Sequence, residues 1–180
     1  MKSTITTIGL TSLFLFLIIA FGCTKEDKYP IEPHIDLIAF DKIADSTGID
    51  QQGVIGLSYT DGDGDLGLIN SQNTGNYKYN LFIKYFEKKN GKFEEVIITS
   101  PNSITGKLDT LSFNGRIPYL TPQGKIKSIK GEIYDTLYIN NPKSTFDTIK
   151  YEIFIQDRAL HKSNTVTTPD IIINKKARKP

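Results

Sequence analysis

From Pro33 onward, apolar and polar residues alternate in short runs, and this period of two decides the fold class. Such alternation is typical of half-buried β-strands, whereas an amphipathic helix repeats roughly every 3.6 residues. Glycine, proline, asparagine and aspartate separate the runs, as turns require. We therefore expect no long amphipathic helix. The predicted strands are His34 to Phe40, Gly53 to Thr60, Asn76 to Glu87, Phe93 to Thr99, Thr110 to Phe113, Ile126 to Tyr138, Thr148 to Asp157 and Val166 to Ile173.

The clearest local prediction is a β-hairpin that turns at Asn90-Gly91. This dipeptide supplies the two positive φ angles that a type I′ turn requires. Residues of one parity before the turn are mostly apolar, and we expect them in the core: Tyr77, Tyr79, Leu81, Ile83 and Tyr85. Residues of the other parity are mostly polar, and we expect them in water: Lys78, Asn80, Lys84 and Lys88.

Short strands at this spacing, without a recurring helical crossover, favour an all-β fold built as an antiparallel two-sheet Greek-key sandwich. A small barrel is the alternative. The chain has 180 residues, 38% of them hydrophobic, which is enough for one domain with a single core. Its formal net charge of +2 creates no strong field of either sign and argues against nucleic acid as a partner.

The first residues have the pattern of an export signal. Lys2 is followed by an apolar run from about Leu10 to Phe21 and then by Cys23, the only cysteine in the chain. This segment resembles a bacterial lipoprotein signal, in which residues 1–22 are removed and Cys23 becomes the acylated first residue. The resemblance implies a membrane anchor through lipid at Cys23, with the polypeptide outside the lipid. The alternative is a chance thiol at the end of a membrane anchor.

Four regions follow from these patterns: a signal peptide (1–22), a lipidated cysteine with a tether (23–33), a β-domain (34–174) and a basic tail (175–180). Pro30 and Pro33 favour an extended tether. Lys25-Glu26-Asp27 is similar to the signal that directs some lipoproteins to the outer surface of gram-negative bacteria. We therefore expect an exported, membrane-anchored protein on the outer-membrane, periplasmic or cell-surface side.

Two further stretches carry a resemblance. YEIFIQDRALHKSNTVTTPDIII (151–173) is similar to the last strand pair of bacterial immunoglobulin-like and fibronectin-like domains. YTDGDGDLGL, RIPYLTPQGKIKSIKGEI and the Asp-Arg-Ala at 157–159 together resemble uncharacterised surface or periplasmic lipoproteins of the Bacteroidetes type. The resemblance implies an immunoglobulin-like or fibronectin III-like sandwich at the cell envelope, and it implies no activity.

The stretch YTDGDGDLG places Asp61, Asp63 and Asp65 at every second position. Like charges this close repel one another unless solvent screens them in an exposed turn or a cation neutralises them. Ca²⁺ typically takes about six to eight carboxylate and carbonyl oxygens from a flexible loop. The loop is not an EF-hand, because Leu66 stands where that motif requires glycine. We predict a structural Ca²⁺ site, with a solvated turn as the alternative.

Strand parity adds a fourth carboxylate to this site. Asp61 continues the apolar parity of the second predicted strand, and Asp157 continues that of the seventh. In an immunoglobulin-like sandwich these two strand ends lie at the same end of the domain, so we expect Asp157 beside the loop.

The start of the first predicted strand lies at the same end, which makes Glu32 and Asp36 further candidate ligands. Arg158 is the competing partner, because a guanidinium can pair with these carboxylates without any metal.

The chain lacks the common catalytic motifs: there is no G-x-S-x-G, no P-loop and no H-E-x-x-H. Its two histidines, His34 and His161, are expected to be exposed polar residues. We predict a non-enzymatic binding or assembly module, with an envelope protein or a glycan as partner. The alternatives are a glycan-directed hydrolase that uses the aspartates, whose carboxylates would face an open cleft, and a purely structural subunit with an exposed apolar patch.

Overall fold

The computed structural model describes residues 28–120 and 127–176, so the predicted signal peptide and Cys23 lie outside the described residues. The described residues form antiparallel β-strands and one short 3₁₀ turn, Gly75–Tyr77. The strands are β1 (His34–Ala44), β2 (Asp50–Asp61), β3 (Leu81–Lys89), β4 (Lys92–Glu95), β5 (Thr99–Pro101), β6 (Leu108–Thr110), β7 (Ile129–Tyr138), β8 (Thr148–Ile155), β9 (Val166–Thr167) and β10 (Ile171–Ile172). Within these ranges no helix has the length and apolar character needed to cross a membrane.

The strands form two larger sheets and a separate hairpin. The first sheet has the order β1-β2-β7, and the second has the order β4-β3-β8-β10, with β9 also paired to β8. The hairpin consists of β5 and β6. All of these pairings are antiparallel. The predicted all-β, antiparallel character is therefore confirmed.

The two larger sheets share one hydrophobic core. Alternate residues of β8 point inward, so Ile149, Tyr151, Ile153 and Ile155 are fully buried. Ile55 and Leu57 of β2 enter the same core from the other sheet. Burying a side chain of this size contributes roughly 1.5–3 kcal/mol. The alternation seen in the sequence therefore identifies the core faces of both strands.

The Asn90-Gly91 hairpin is also as predicted. Asn90 has a φ of 50° and Gly91 a φ of 82°, the two positive values of a type I′ turn. β3 and β4 are paired on either side of it, with Lys89 opposite Lys92.

The strand before this hairpin begins later than predicted. β3 starts at Leu81, while Tyr77 belongs to the 3₁₀ turn and is only partly buried, as is Tyr79. The expectation that Asn80 faces water is wrong, because its side chain is 1% exposed. It accepts a hydrogen bond from Ile117 N (2.7 Å) and donates one to Ile117 O (3.3 Å). A partner 37 residues away leaves no mark on local alternation.

The last predicted strand, Val166 to Ile173, is divided into β9 and β10. Between them Pro169 has no N–H to donate to a ladder. Thr168 instead bonds β8 directly: its Oγ1 accepts Tyr151 N, and its own N donates to Tyr151 O, each at 3.0 Å. The strand predicted from Phe93 to Thr99 ends at Glu95. The prediction of a strand from Thr110 to Phe113 is wrong beyond Thr110, the last residue of β6, because residues 111–113 belong to no strand. β7 was expected from Ile126, which lies outside the described residues, and begins at Ile129.

The C-terminal end of the domain is held at the end of the molecule where β2 begins. Asp50 N donates to Asn174 O at 2.9 Å. Lys175, which the composition assigns to the basic tail, is half-buried, and its Nζ donates to Asn141 O (3.1 Å) and Ser144 O (2.8 Å). The ordered domain therefore includes at least Lys175.

Candidate metal centre

Residues 61–67, which we call the aspartate loop, begin where β2 leaves its sheet. Asp61 is the last residue of β2 and lies opposite Ile129 of β7. Five residues further on, fully buried Leu66 fixes the loop to the core, and Leu68 N donates to Ile117 O at 3.0 Å. The loop is therefore attached at both ends.

Gly67 permits a close approach between the loop and a neighbouring segment. It has a φ of 96°, and a Cβ at this position would lie 2.0 Å from Pro118 O. No other residue type fits there without moving the backbone. This neighbouring segment is hydrogen-bonded to the side chain of Asn80 through Ile117, so a buried asparagine stabilises the segment against which the loop packs.

The three aspartates of the loop turn toward one another. One oxygen from each of Asp61, Asp63 and Asp65 lies within 4.8 Å of the others. Asp61 is fully buried, and the other two are partly buried. This grouping is the one that the D-x-D-x-D spacing predicts.

Each aspartate has one buried oxygen, Oδ1, with no hydrogen-bond partner. The opposite oxygens of two of them are engaged: Asp61 Oδ2 accepts Leu66 N (2.8 Å), and Asp65 Oδ2 accepts Ala159 N (3.0 Å). A buried polar atom left unpaired costs about 1–3 kcal/mol, and more when it is charged. Three such atoms in one place are unfavourable unless something positively charged lies among them.

The electrostatics of the loop point the same way. Burial raises the pKa of Asp61 to about 6, and the charges of Asp63 and Asp65 act in the same direction. Burial also raises the pKa of Asp65, followed by the negative charges of Asp157 and Asp63. In the absence of a cation, the loop disfavours its own charged form.

Arg158 is bonded to the aspartate loop. Its Nη1 donates to Gly67 O at 2.9 Å, and its guanidinium lies 4.6 Å from the centre of the Tyr119 ring. The positive charge of Arg158 lowers the pKa of Asp65, yet burial and the neighbouring acids outweigh it. The pKa of Asp65 therefore stays raised despite the nearby arginine.

Asp157 lies beside the loop, as strand parity predicts, but outside the group of three. It is 1% exposed, and both of its oxygens bond His161: Oδ1 accepts the backbone N at 2.7 Å, and Oδ2 lies 2.9 Å from Nδ1. Its negative charge still reaches Asp65 and raises the pKa of that residue. Asp157 thus contributes charge to the site while its oxygens stabilise the turn after β8.

His161 is a residue of this region that sequence reasoning missed. Its bond to Asp157 raises the pKa of the imidazole, so the ring favours its protonated, positive form. The available signal was the spacing of four residues between an aspartate at a strand end and a histidine in the following turn.

Glu32 and Asp36 are not part of the three-carboxylate group. Glu32 is nevertheless at this end of the domain, because its charge contributes to the raised pKa of His161. Asp36 is exposed on β1, with its Oδ1 3.5 Å from His34 Nε2.

Comparisons with known proteins found no protein-family model that matches the chain, and no significantly similar curated protein or solved structure. The aspartate loop and its surroundings therefore carry the functional inference.

Proposed function

We propose that this chain is a lipid-anchored binding or assembly module of the cell envelope, stabilised by a Ca²⁺ ion in the aspartate loop. Asp61, Asp63 and Asp65 supply the acidic ligands, and Asp157 adds negative charge beside them. The ion's role is structural: it rigidifies the loops at one end of the domain.

One observation carries the cation site: three buried carboxylate oxygens without partners, gathered within 4.8 Å. Hard divalent cations prefer oxygen ligands. Ca²⁺ tolerates the irregular ligand geometry of a loop, whereas Mg²⁺ requires nearly ideal octahedral coordination. Carboxylates kept for glycoside hydrolysis would face a cleft wide enough for a sugar and a water. Burial of the three oxygens favours the cation site over the hydrolase.

The proposed fold is an immunoglobulin-like or fibronectin III-like Greek-key sandwich. The strand orders β1-β2-β7 and β4-β3-β8 support it, because the second strand pairs with the first and with a strand late in the chain. The same order explains how Asp61 and Asp157, 96 positions apart in the sequence, come to one end: β2 and β8 both finish there.

The envelope location rests on the pattern that ends at Cys23. A binding or assembly role is supported by apolar side chains exposed at the opposite end of the domain, near the β5–β6 hairpin: Ile97 (68%), Ile104 (93%) and Leu108 (65%). Exposed apolar side chains are a common feature of contact surfaces.

The test is the thermal midpoint of the chain from Lys25 onward, which contains every described residue, in excess calcium, in chelator and in magnesium. We expect a rise specific to calcium, because an ion that binds only the folded state stabilises it by mass action, about 2.7 kcal/mol at a hundred times Kd. Asp63→Asn should nearly abolish the difference between calcium and chelator. Asp41→Asn, an exposed aspartate on β1, is the matched control and should leave it intact. An unchanged difference in Asp63→Asn would refute the assignment.

A further inference from the structure

The chain segment that leads to the membrane anchor lies directly against the aspartate loop. A Cβ on Gly62 would lie 2.2 Å from Tyr29 O and 2.4 Å from Pro30 O, so both carbonyls are packed onto the backbone between Asp61 and Asp63. Glycine is required at position 62 because of this approach. We call residues 29–32 the docking segment.

A serine bonds the docking segment and the loop to each other. Ser128 Oγ donates to Gly62 O at 3.2 Å and accepts a hydrogen bond from Tyr29 N at 3.4 Å. One hydroxyl just before β7 thus bridges the two backbones. The contact is specific, since it combines a close backbone approach with a shared hydrogen-bond partner.

Docking concentrates negative charge at this end of the domain. Glu32 lies close enough to His161 for its negative charge to raise the pKa of the imidazole, as the charges of Asp157 and Asp63 also do. The carbonyl oxygens of Tyr29 and Pro30 turn the negative ends of their dipoles toward a loop that already holds three carboxylates. Without a cation these carbonyl dipoles oppose docking, and with a divalent cation in the loop they favour it. The attraction between Glu32 and the protonated ring of His161 favours docking in both states.

We propose that cation binding in the aspartate loop and docking of residues 29–32 are one coupled event, so that the ion fixes the membrane-proximal segment to the domain. The proposal rests on the cation site proposed above and adds what the ion controls. Linkage makes the coupling reciprocal: the factor by which the ion favours docking equals the factor by which docking raises the affinity for the ion.

The coupling sets how far the domain can move from its anchor. With the segment docked, only residues 24–28 separate Cys23 from the folded domain, and a chain of that length spans at most about 17 Å. With it released as far as Pro33, residues 24–32 are free and span up to roughly 30 Å. Calcium therefore holds the aspartate-loop end close to the membrane and restricts the orientation of the domain.

The experiment measures amide hydrogen exchange at residues 29–32 in the chain from Lys25 onward, with calcium and with chelator. The reporters are the amides of Tyr29, Ile31 and Glu32, since Pro30 has none. We expect exchange to be slowed by calcium, by roughly fivefold or more, which is the low end of usual coupling factors.

Two variants separate the coupling from the cation site itself. Gly62→Ala leaves all three aspartates in place but obstructs the approach of Tyr29 and Pro30, so exchange should be fast even in calcium and the calcium affinity should fall by the same factor. Glu32→Gln removes the attraction between residue 32 and the protonated ring of His161, so exchange should become faster by a similar factor in calcium and in chelator, and the ratio between the two conditions should remain. Glu32 is exposed, so Glu32→Gln should fold normally and remains a usable test even if Gly62→Ala disturbs the loop. Asp41→Asn should behave like the unaltered chain.

The two proposals fail differently. If calcium raises the thermal midpoint through Asp63 while residues 29–32 exchange equally fast in calcium and chelator, the coupling is refuted and the cation site survives. If calcium changes neither quantity, the cation site itself is wrong.

Discussion

At the scale of single residues, Asp61 shows why the loop needs a partner. Its side chain is fully buried, Leu66 N bonds one of its oxygens, and its other oxygen has no partner. Burial raises its pKa to about 6, so without a cation the folded protein holds a proton there that the unfolded chain releases near pH 4. Between these two values the folded state binds more protons, and its stability falls as the pH rises.

This predicts that the pH dependence of stability differs with and without calcium. In chelator, the free energy of unfolding should decrease by about 2 kcal/mol as the pH rises from about 4 to 7, which lowers the thermal midpoint by roughly 5 °C. In excess calcium the decrease should disappear, because the ion stabilises the ionised carboxylate. Thermal unfolding at several pH values checks this, and Asp61→Asn provides the control because it cannot ionise at that position. A chelator curve for the unaltered chain that rises over this range would contradict the assignment.

At the scale of elements, alternation predicts strands and faces well and long-range polar contacts poorly. The inward residues of β8 and the Asn90-Gly91 hairpin follow from local patterns. The position of Asp157 also follows, because parity and strand order together bring it to the loop. Asn80 was misplaced and the partnership of His161 was missed, since each depends on a hydrogen bond whose partner carries no periodic signal.

Asn80 is the side chain that connects β3 to the support of the aspartate loop. Asn80→Ala should leave the backbone N of Ile117 without a partner in a buried place, remove one of the two hydrogen bonds to its O, and lower the free energy of unfolding by about 1–3 kcal/mol. Because Ile117 O also accepts Leu68 N, the calcium-induced rise in the thermal midpoint should become smaller. Urea unfolding measures the first effect. Asn76→Ala, at an exposed asparagine near β3, should change neither quantity, and equal losses in the two variants would count against the role of Asn80.

At the scale of the whole molecule, the two ends of β2 have different tasks. Gly62, just after its C-terminal end, meets the docking segment, while Asp50 at its N-terminal end accepts a hydrogen bond from Asn174 N near the end of the described residues. A strand of this length separates them by roughly 35 Å. The proposed anchor is therefore at one end of the domain, and the exposed apolar residues near the β5–β6 hairpin are at the other. At that second end, Lys143 Nζ donates a hydrogen bond to Thr99 O of β5.

The lipid anchor itself is tested by one substitution. Cys23→Ser removes the thiol that would carry the acyl chains, so the protein should leave the membrane fraction or remain unprocessed with its signal attached. Fractionation of cells that produce each form, with mass measurement of the mature chain, reports both outcomes. Unaltered retention in membranes by a processed Cys23→Ser protein would count against a lipoprotein.

Direct calorimetric titration of the chain from Lys25 onward with calcium tests the central claim. The aspartate loop predicts one calcium ion per chain, a much weaker response to magnesium, and loss of binding in Asp63→Asn but not in Asp41→Asn. Absence of calcium binding at neutral pH, or binding that Asp63→Asn leaves unchanged, would contradict the assignment of the three buried aspartates as a metal centre.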